Sequence, residues 1–318
     1  MPTILQRSQH IPSPLAALAL GLASLGWCLD TALQLDGMVQ RASALLACGL
    51  VALVVLKFCV NPHVLRQELA HPILGSVLPT LAMALMIVSV ALPASIALPL
   101  WCGAVLVHSS LFVAFLRYRL PNLQLSQLIP GWFVPPIGIV TAVATSPDAI
   151  SPQVIASLFW FGFIAYLLML PIMLYRLRYG GQLPAAAKPS FAILAAPASL
   201  CLTGYLSFAI NPSAWLVLPL LLLALLMTAI IYVALPSLLR LPFTPAFAAY
   251  TFPLVIGATA LFKASAVLQQ WQWSQFATMV YWLAYVELLI ATLVCSYVAY
   301  RFVLFTVIAP QRQKVLPV

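Results

Sequence analysis

Lys263 and Glu287 stand inside long apolar runs of this chain. Ionisable groups at membrane depth are costly enough to be functional candidates by default. Their two runs are consecutive and read as one hairpin. An ion pair between them, or a lysine reaching out to the interface, would fix that hairpin. Alternatively, Lys263 draws anions to an outer mouth and Glu287 takes up a proton. The structural alternative leads for Glu287, whose run reads as an outer one, while Lys263 stays open between the two. His108 is alone in another apolar run, where a histidine is ordinarily packed and hydrogen-bonded rather than a ligand.

A second group of residues acts through the backbone. Pro79, Pro135 with Pro136, Pro197 and Pro253 fall inside four apolar runs. A proline there removes a backbone donor and clashes with the preceding turn, so the helix is expected to kink and leave a carbonyl without its partner. Such a carbonyl is unfavourable in lipid and tolerated along a water-filled lumen. Proline is commoner in membrane helices generally, but four at matching depth favour a lumen. The first run has no such proline. It reads Ala17-Leu-Ala-Leu-Gly-Leu-Ala, and Gly21 is the expected source of flexibility there.

Enzyme chemistry finds little support. Five acids in 318 residues leave no paired carboxylates in one run. No H-E-x-x-H zinc motif and no glycine-rich phosphate loop ending in Lys-Ser/Thr occurs. The six cysteines, Cys28, Cys48, Cys59, Cys102, Cys201 and Cys295, include no C-x-x-C pair and read as small apolar residues. No cofactor and no metal are expected, and transport driven by ATP would need a partner chain. The net charge of +9 is scattered near the ends of runs, with no basic stripe, so no nucleic-acid partner is expected either.

The elements that carry these residues follow from composition. The chain is 64% hydrophobic and 6% charged, with a mean hydropathy of +1.10. A soluble domain carries roughly a quarter charged residues, so this is an integral membrane protein in a lipid bilayer, and its runs are helix-length. Prolines open five of them, Pro12, Pro72, Pro130, Pro189 and Pro245, at steps of 60, 58, 59 and 56 residues. That spacing predicts one transmembrane domain over 1–318 made of five repeats, 12–71, 72–129, 130–188, 189–244 and 245–307. Each repeat holds two spans, giving ten: 14–34, 40–60, 72–93, 96–117, 131–147, 153–175, 189–210, 213–237, 245–268 and 276–304. The N-terminal run reads as a retained helix rather than a leader.

Lys57, Arg66, Arg117, Arg119, Arg176, Arg178, Lys188, Arg240, Arg301, Arg312 and Lys314 follow even-numbered spans. With Arg7 they make twelve of the fourteen basic residues. The positive-inside rule makes that side, and both termini, cytoplasmic. Asp30, Asp36 and Asp148 fall on the other side. Trp101, Trp132, Trp215, Trp271, Trp273 and Trp282 lie near span ends and suit interface anchors. The odd spans are rich in small residues, which let helices approach closely, and the eighth opens on a leucine-rich run. Odd spans are therefore expected inside and even spans outside, as an all-α fold of five helical hairpins in a quasi-fivefold ring around a central pore.

This pattern resembles the tellurite-resistance/dicarboxylate transporter family, which includes bacterial tellurite-resistance proteins, yeast sulfite and malate carriers, and the slow anion channels of plant guard cells. The resemblance rests on His71-Pro-Ile-Leu-Gly-Ser-Val-Leu-Pro, Ala195-Ala-Pro-Ala-Ser-Leu and Tyr250-Thr-Phe-Pro-Leu, in that order and spacing. It implies a pore within each subunit of a homotrimer in a bacterial inner membrane. It also implies a phenylalanine plug, which the Tyr-Thr-Phe-Pro match puts on Phe252, with the pore kinks on Pro79, Pro136, Pro197 and Pro253. An apolar ring at a constriction blocks hydrated ions. The inferred lumen carries no lysine or arginine at mid-depth, which favours a channel for weakly hydrated monovalent anions such as nitrate or iodide. The alternative is a secondary carrier or exporter of C4-dicarboxylate, sulfite or tellurite-type anions.

Overall fold

The computed structural model describes residues 8–308, so Arg7, Arg312 and Lys314 lie outside the described residues. All regular structure among the described residues is helical. Among the described residues, eight helices are long and apolar enough to cross a membrane, or nine when one sharply bent pair counts as a single span. The long ones are α1 (Leu15–Leu33), α2 (Met38–Val60), α6 (Ala94–Arg119), α9 (Pro152–Tyr179), α10 (Ala196–Phe208), α11 (Ala214–Leu239), α12 (Thr251–Gln270) and α13 (Ser274–Ile308). α10 and α12 reach membrane length with the 3₁₀ stretches that precede them, Ala185–Ala195 and Pro245–Tyr250. The bent pair joins α3 (Pro62–Ala70) to α4 (Leu74–Val77) and α5 (Thr80–Ser89) at 103°.

The fifth expected span, 131–147, is not one helix. It is a 3₁₀ turn, Pro130–Phe133, followed by α7 (Val134–Ile137) and α8 (Val140–Ala144). Pro135 and Pro136 together remove two consecutive backbone donors, so a regular ladder cannot run through. Elsewhere the prolines start α-helices rather than bending them. Pro79 immediately precedes α5, Pro197 is in the first turn of α10, and Pro253 is in the first turn of α12. First-turn N–H groups have no intrahelical acceptor in any case, so proline loses nothing there. True mid-helix prolines occur in the outer helices instead: Pro99 in α6, Pro171 in α9, and Pro219 and Pro236 in α11.

Small residues decide which helices go inside. Across its membrane-length core, α1 is 72% buried, Ala185–Phe208 72% and Pro245–Gln270 78%, against 17% to 39% for α2, α6, α9, α11 and α13. α1 touches α5, α5 touches α8, α8 touches α10, α10 touches α12, and α12 returns to α1. Each inner piece packs on the outer helix that follows it. Gly21 marks one of the close approaches between inner segments, and α1 runs unbroken there. A Cβ there would lie 2.1 Å from Thr251 Oγ1 and 3.2 Å from the Phe252 nitrogen. Gly21 is a contact point between two backbones and not the break that its sequence context suggests.

Outer side chains complete the inner backbone. His108 of α6 shares a hydrogen bond between Nε2 and the Pro135 carbonyl (2.9 Å), and Trp101 Nε1 donates to the Ala142 carbonyl (3.1 Å). His108 is thus a packed, hydrogen-bonded histidine, as its isolation suggests. Trp101 is buried rather than interfacial. Trp132 is buried too, edge-on against Phe115 at 5.0 Å, whereas Trp215, Trp273 and Trp282 are exposed. Buried Asp30 accepts from the Gly37 and Gln40 N–H groups at 2.7 and 2.9 Å, capping the start of α2. Buried Arg176 donates to the Gly181 and Ser126 carbonyls at 2.8 and 3.0 Å, and Arg119 donates to the Ala70 carbonyl. Gly21→Ala should destabilise the fold by about 1–3 kcal/mol through overpacking, measured by thermal unfolding in detergent. Gly49→Ala, where nothing lies within 4 Å of the new methyl, should leave the melting temperature unchanged.

Candidate functional site

A cavity of about 470 Å³ opens at the end of the molecule where the inner segments begin. All five inner segments line it, and none of them does so at its far end. The lining reaches furthest along these segments at Leu20, Met83, Gly138, Leu200 and Phe252 with Pro253. The wall is mostly apolar, with hydroxyls from Ser76, Thr80 and Ser190 and the backbone of the 3₁₀ stretches. A chamber of this size has room for a small solute.

Phe252 sits in the first turn of α12 and is 7% exposed. Its position is set from both sides. Behind it, Thr251 Oγ1 donates to the Ala248 carbonyl at 2.8 Å and lies against Gly21 of α1. Before it, an aromatic run anchors the 3₁₀ stretch. Phe243 packs on Phe247 at 5.1 Å, Phe247 on Tyr250 at 4.9 Å, and the Tyr250 hydroxyl donates to the Leu238 carbonyl at 3.2 Å. Pro197 and Pro253 line the cavity, whereas Pro79, Pro136 and Gly21 do not.

The two charges of the last hairpin are not together. Among the described residues Lys263 and Glu287 form no ion pair. Counted from the turn at 271–273, Lys263 is eight residues back and Glu287 fourteen residues on. They therefore stand about 9 Å apart in depth at 1.5 Å per residue. Glu287 is buried, and its Oε2 has no hydrogen-bond partner. It presses on Gly257 of α12, where a Cβ would lie 2.6 Å from Oε2 and 3.6 Å from Thr228 Oγ1. Lys263 is half-buried and lies three turns beyond Phe252 on the same face of α12. Neither residue lines the cavity.

The charged groups that do reach the cavity are ones the sequence pattern did not single out as a pair. Lys57, near the end of α2, meets Glu68 of α3 at 2.5 Å, and both are buried. Lys57 reads in sequence as one more basic residue near a span end. Only the sharp reversal of the chain between α2 and α5 brings an acid eleven residues later onto it. The hint in the sequence is scarcity, since Glu68 is one of five acids.

A family model described as SLAC1, voltage-dependent anion channel, matches residues 10–303. Two uncharacterized transporters of Methanocaldococcus jannaschii are also similar. One is 26% identical over 155 residues, 43% of this chain and 45% of the relative. The other is 25% identical over 142 residues, 39% of this chain and 40% of the relative. The matched part of the chain thus spans less than half the length of each of these relatives. The family match, in contrast, runs over nearly the whole chain, across every element that lines the cavity, and the chain belongs to the SLAC1 voltage-dependent anion channel family, a family of channels and transporters and not of enzymes.

Proposed function

We infer that each chain carries its own anion pathway, a pore within a quasi-fivefold arrangement of five repeats, with Phe252 as the plug. The observation that carries this reading is the cavity itself. It draws its wall from all five inner segments, and Phe252 is part of that wall. Because twelve of the fourteen basic residues fall at this end in sequence, the cavity faces the cytoplasm and both termini lie on that side. The host membrane is a bacterial inner membrane, and the assembly is a homotrimer.

The permeant ions are small monovalent anions that shed water easily. The chamber offers hydroxyls and backbone dipoles but no unpaired cation at mid-depth, so an ion gains little to offset dehydration. Nitrate and iodide therefore pass better than chloride or fluoride. Lys263, beyond the plug, raises the local anion concentration at the outer mouth. Glu287 acts as a prop, holding α12 from outside at Gly257, one turn past the proline that follows the plug. A second reading is a secondary carrier for C4-dicarboxylate, sulfite or tellurite-type anions. The description of the archaeal relatives as transporters favours it.

Purified protein in planar bilayers tests the pathway. Phe252→Ala should raise anion current about tenfold or more, since removing about 1.4 kcal/mol of barrier is a factor of ten. A folded, inserted Phe252→Ala protein with the parent's current would remove the plug. Reversal potentials in mixed anions should rank nitrate and iodide above chloride; counterflow without electrical conductance would favour the carrier. Lys263→Gln should lower current at low ionic strength and converge on the parent near 1 M salt, where the Debye length is about 3 Å. Glu287→Gln should leave the pH profile of flux unchanged if the carboxyl is only a prop, and a shifted profile would make it a proton site.

A further inference from the structure

The entrance of the cavity holds a polar assembly that the pathway reading leaves unused. Lys57 Nζ donates to the Ile11 carbonyl at 2.8 Å, to Ser13 Oγ at 2.9 Å and to Glu68 Oε1 at 2.5 Å. An ammonium has three protons, so every donor is taken. The Ser13 hydroxyl in turn donates to the other carboxylate oxygen, Glu68 Oε2. The two oxygens of one carboxylate are therefore held by two donors from separate parts of the chain, the ammonium of α2 and a hydroxyl ahead of α1. Asn61 braces this frame. Its Nδ2 donates to Ser8 Oγ at 2.9 Å and to the Lys57 carbonyl at 3.1 Å, and its Oδ1 accepts from Gln9 Nε2 at 3.0 Å. Ser13, Lys57 and Glu68 all line the cavity.

We propose that Lys57 and Ser13 form a docking cradle for a planar oxyanion, a carboxylate or nitrate, and that Glu68 is its resident occupant, displaced when such an anion enters. The inference rests on the reading of the cavity as an anion pathway. The cradle presents two donors to two oxygens on one central atom. A carboxylate or nitrate matches that arrangement, and a spherical halide offers only a single centre. An open ammonium at a pore entrance would hold an anion too strongly to release it, whereas conduction needs binding weak enough to leave. A tethered competitor weakens the site without removing it. Glu68 is placed to yield, because α3 lies at the cavity rim, bent 103° from the third inner segment, and its displaced carboxylate would turn into the open mouth. His10 and His71 line the same mouth and are exposed, and they complete its charged and titratable lining.

The test uses the full chain in detergent and reads binding rather than transport. Melting temperature is followed against sodium nitrate, sodium formate and sodium iodide at constant ionic strength. Glu68→Gln should respond to nitrate and formate at concentrations at least about tenfold below those acting on the parent (a tenfold shift is about 1.4 kcal/mol), with no matching gain for iodide. Lys57→Met in the Glu68→Gln background should abolish the response. Glu68→Asp keeps the charge but shortens the tether, and should give an intermediate shift even if the glutamine variant folds poorly. A parent-like response in both Glu68 variants, or a gain that survives Lys57→Met, would overturn the cradle. A nitrate response that depends on Lys57, in a protein that passes no anion current, would sink the pathway and leave the cradle standing. Current in the parent with no such response would do the reverse.

Discussion

A backbone carbonyl that loses its helical partner inside a bilayer must find another, and the rest of this structure depends on that requirement. Four of the five inner segments begin in 3₁₀ turns or are interrupted at prolines, so their carbonyls are poorly served from within, whereas α1 runs unbroken. They survive because they are surrounded. Outer helices supply the missing donors, as His108 does for Pro135 and Trp101 for Ala142. The remaining irregular backbone faces the cavity. The same requirement keeps the outer elements as long continuous α-helices, since only a complete ladder can meet lipid. Their mid-helix prolines are tolerated as isolated interruptions in ladders that are otherwise whole.

Close packing supplies the complementary half. Gly21 lets α1 touch the first turn of α12, directly beside Phe252. Gly257 receives the Glu287 carboxyl, and Gly162 and Gly204 make room for Val140 of α8. Phe252 thus sits in a turn whose position is fixed from α1 on one side and from the Phe243–Phe247–Tyr250 stack on the other. Charge is used sparingly and locally. Asp30, Arg119 and Arg176 each satisfy loop or helix-end backbone groups, and the one buried ion pair among the described residues is at the cavity entrance.

Much of this was legible in the chain. Composition required a membrane protein, and the alternation of small-residue and leucine-rich runs separated inner from outer helices, because close approach and lipid contact demand different side chains. The isolation of His108 pointed to a packed role. The prolines were legible as interruptions, but their form was not. Proline reads as a kink when the helix is assumed to be α on both sides, and here most mark the point where 3₁₀ turns give way to α-helix. Lys263 and Glu287 share one hairpin without pairing, because they stand at different depths along it.

Taken alone, the order of residues decided solvent, helix length and which face of the chain could be crowded, because these depend on local composition and on spacing within a single run. Only the tertiary structure decided which distant groups meet. Glu68 reaches Lys57 through a reversal of the chain, and Gly21 meets Thr251 across 230 positions of sequence. Such meetings depend on how whole helices cross, and crossing is settled by the summed packing of every segment rather than by any one of them.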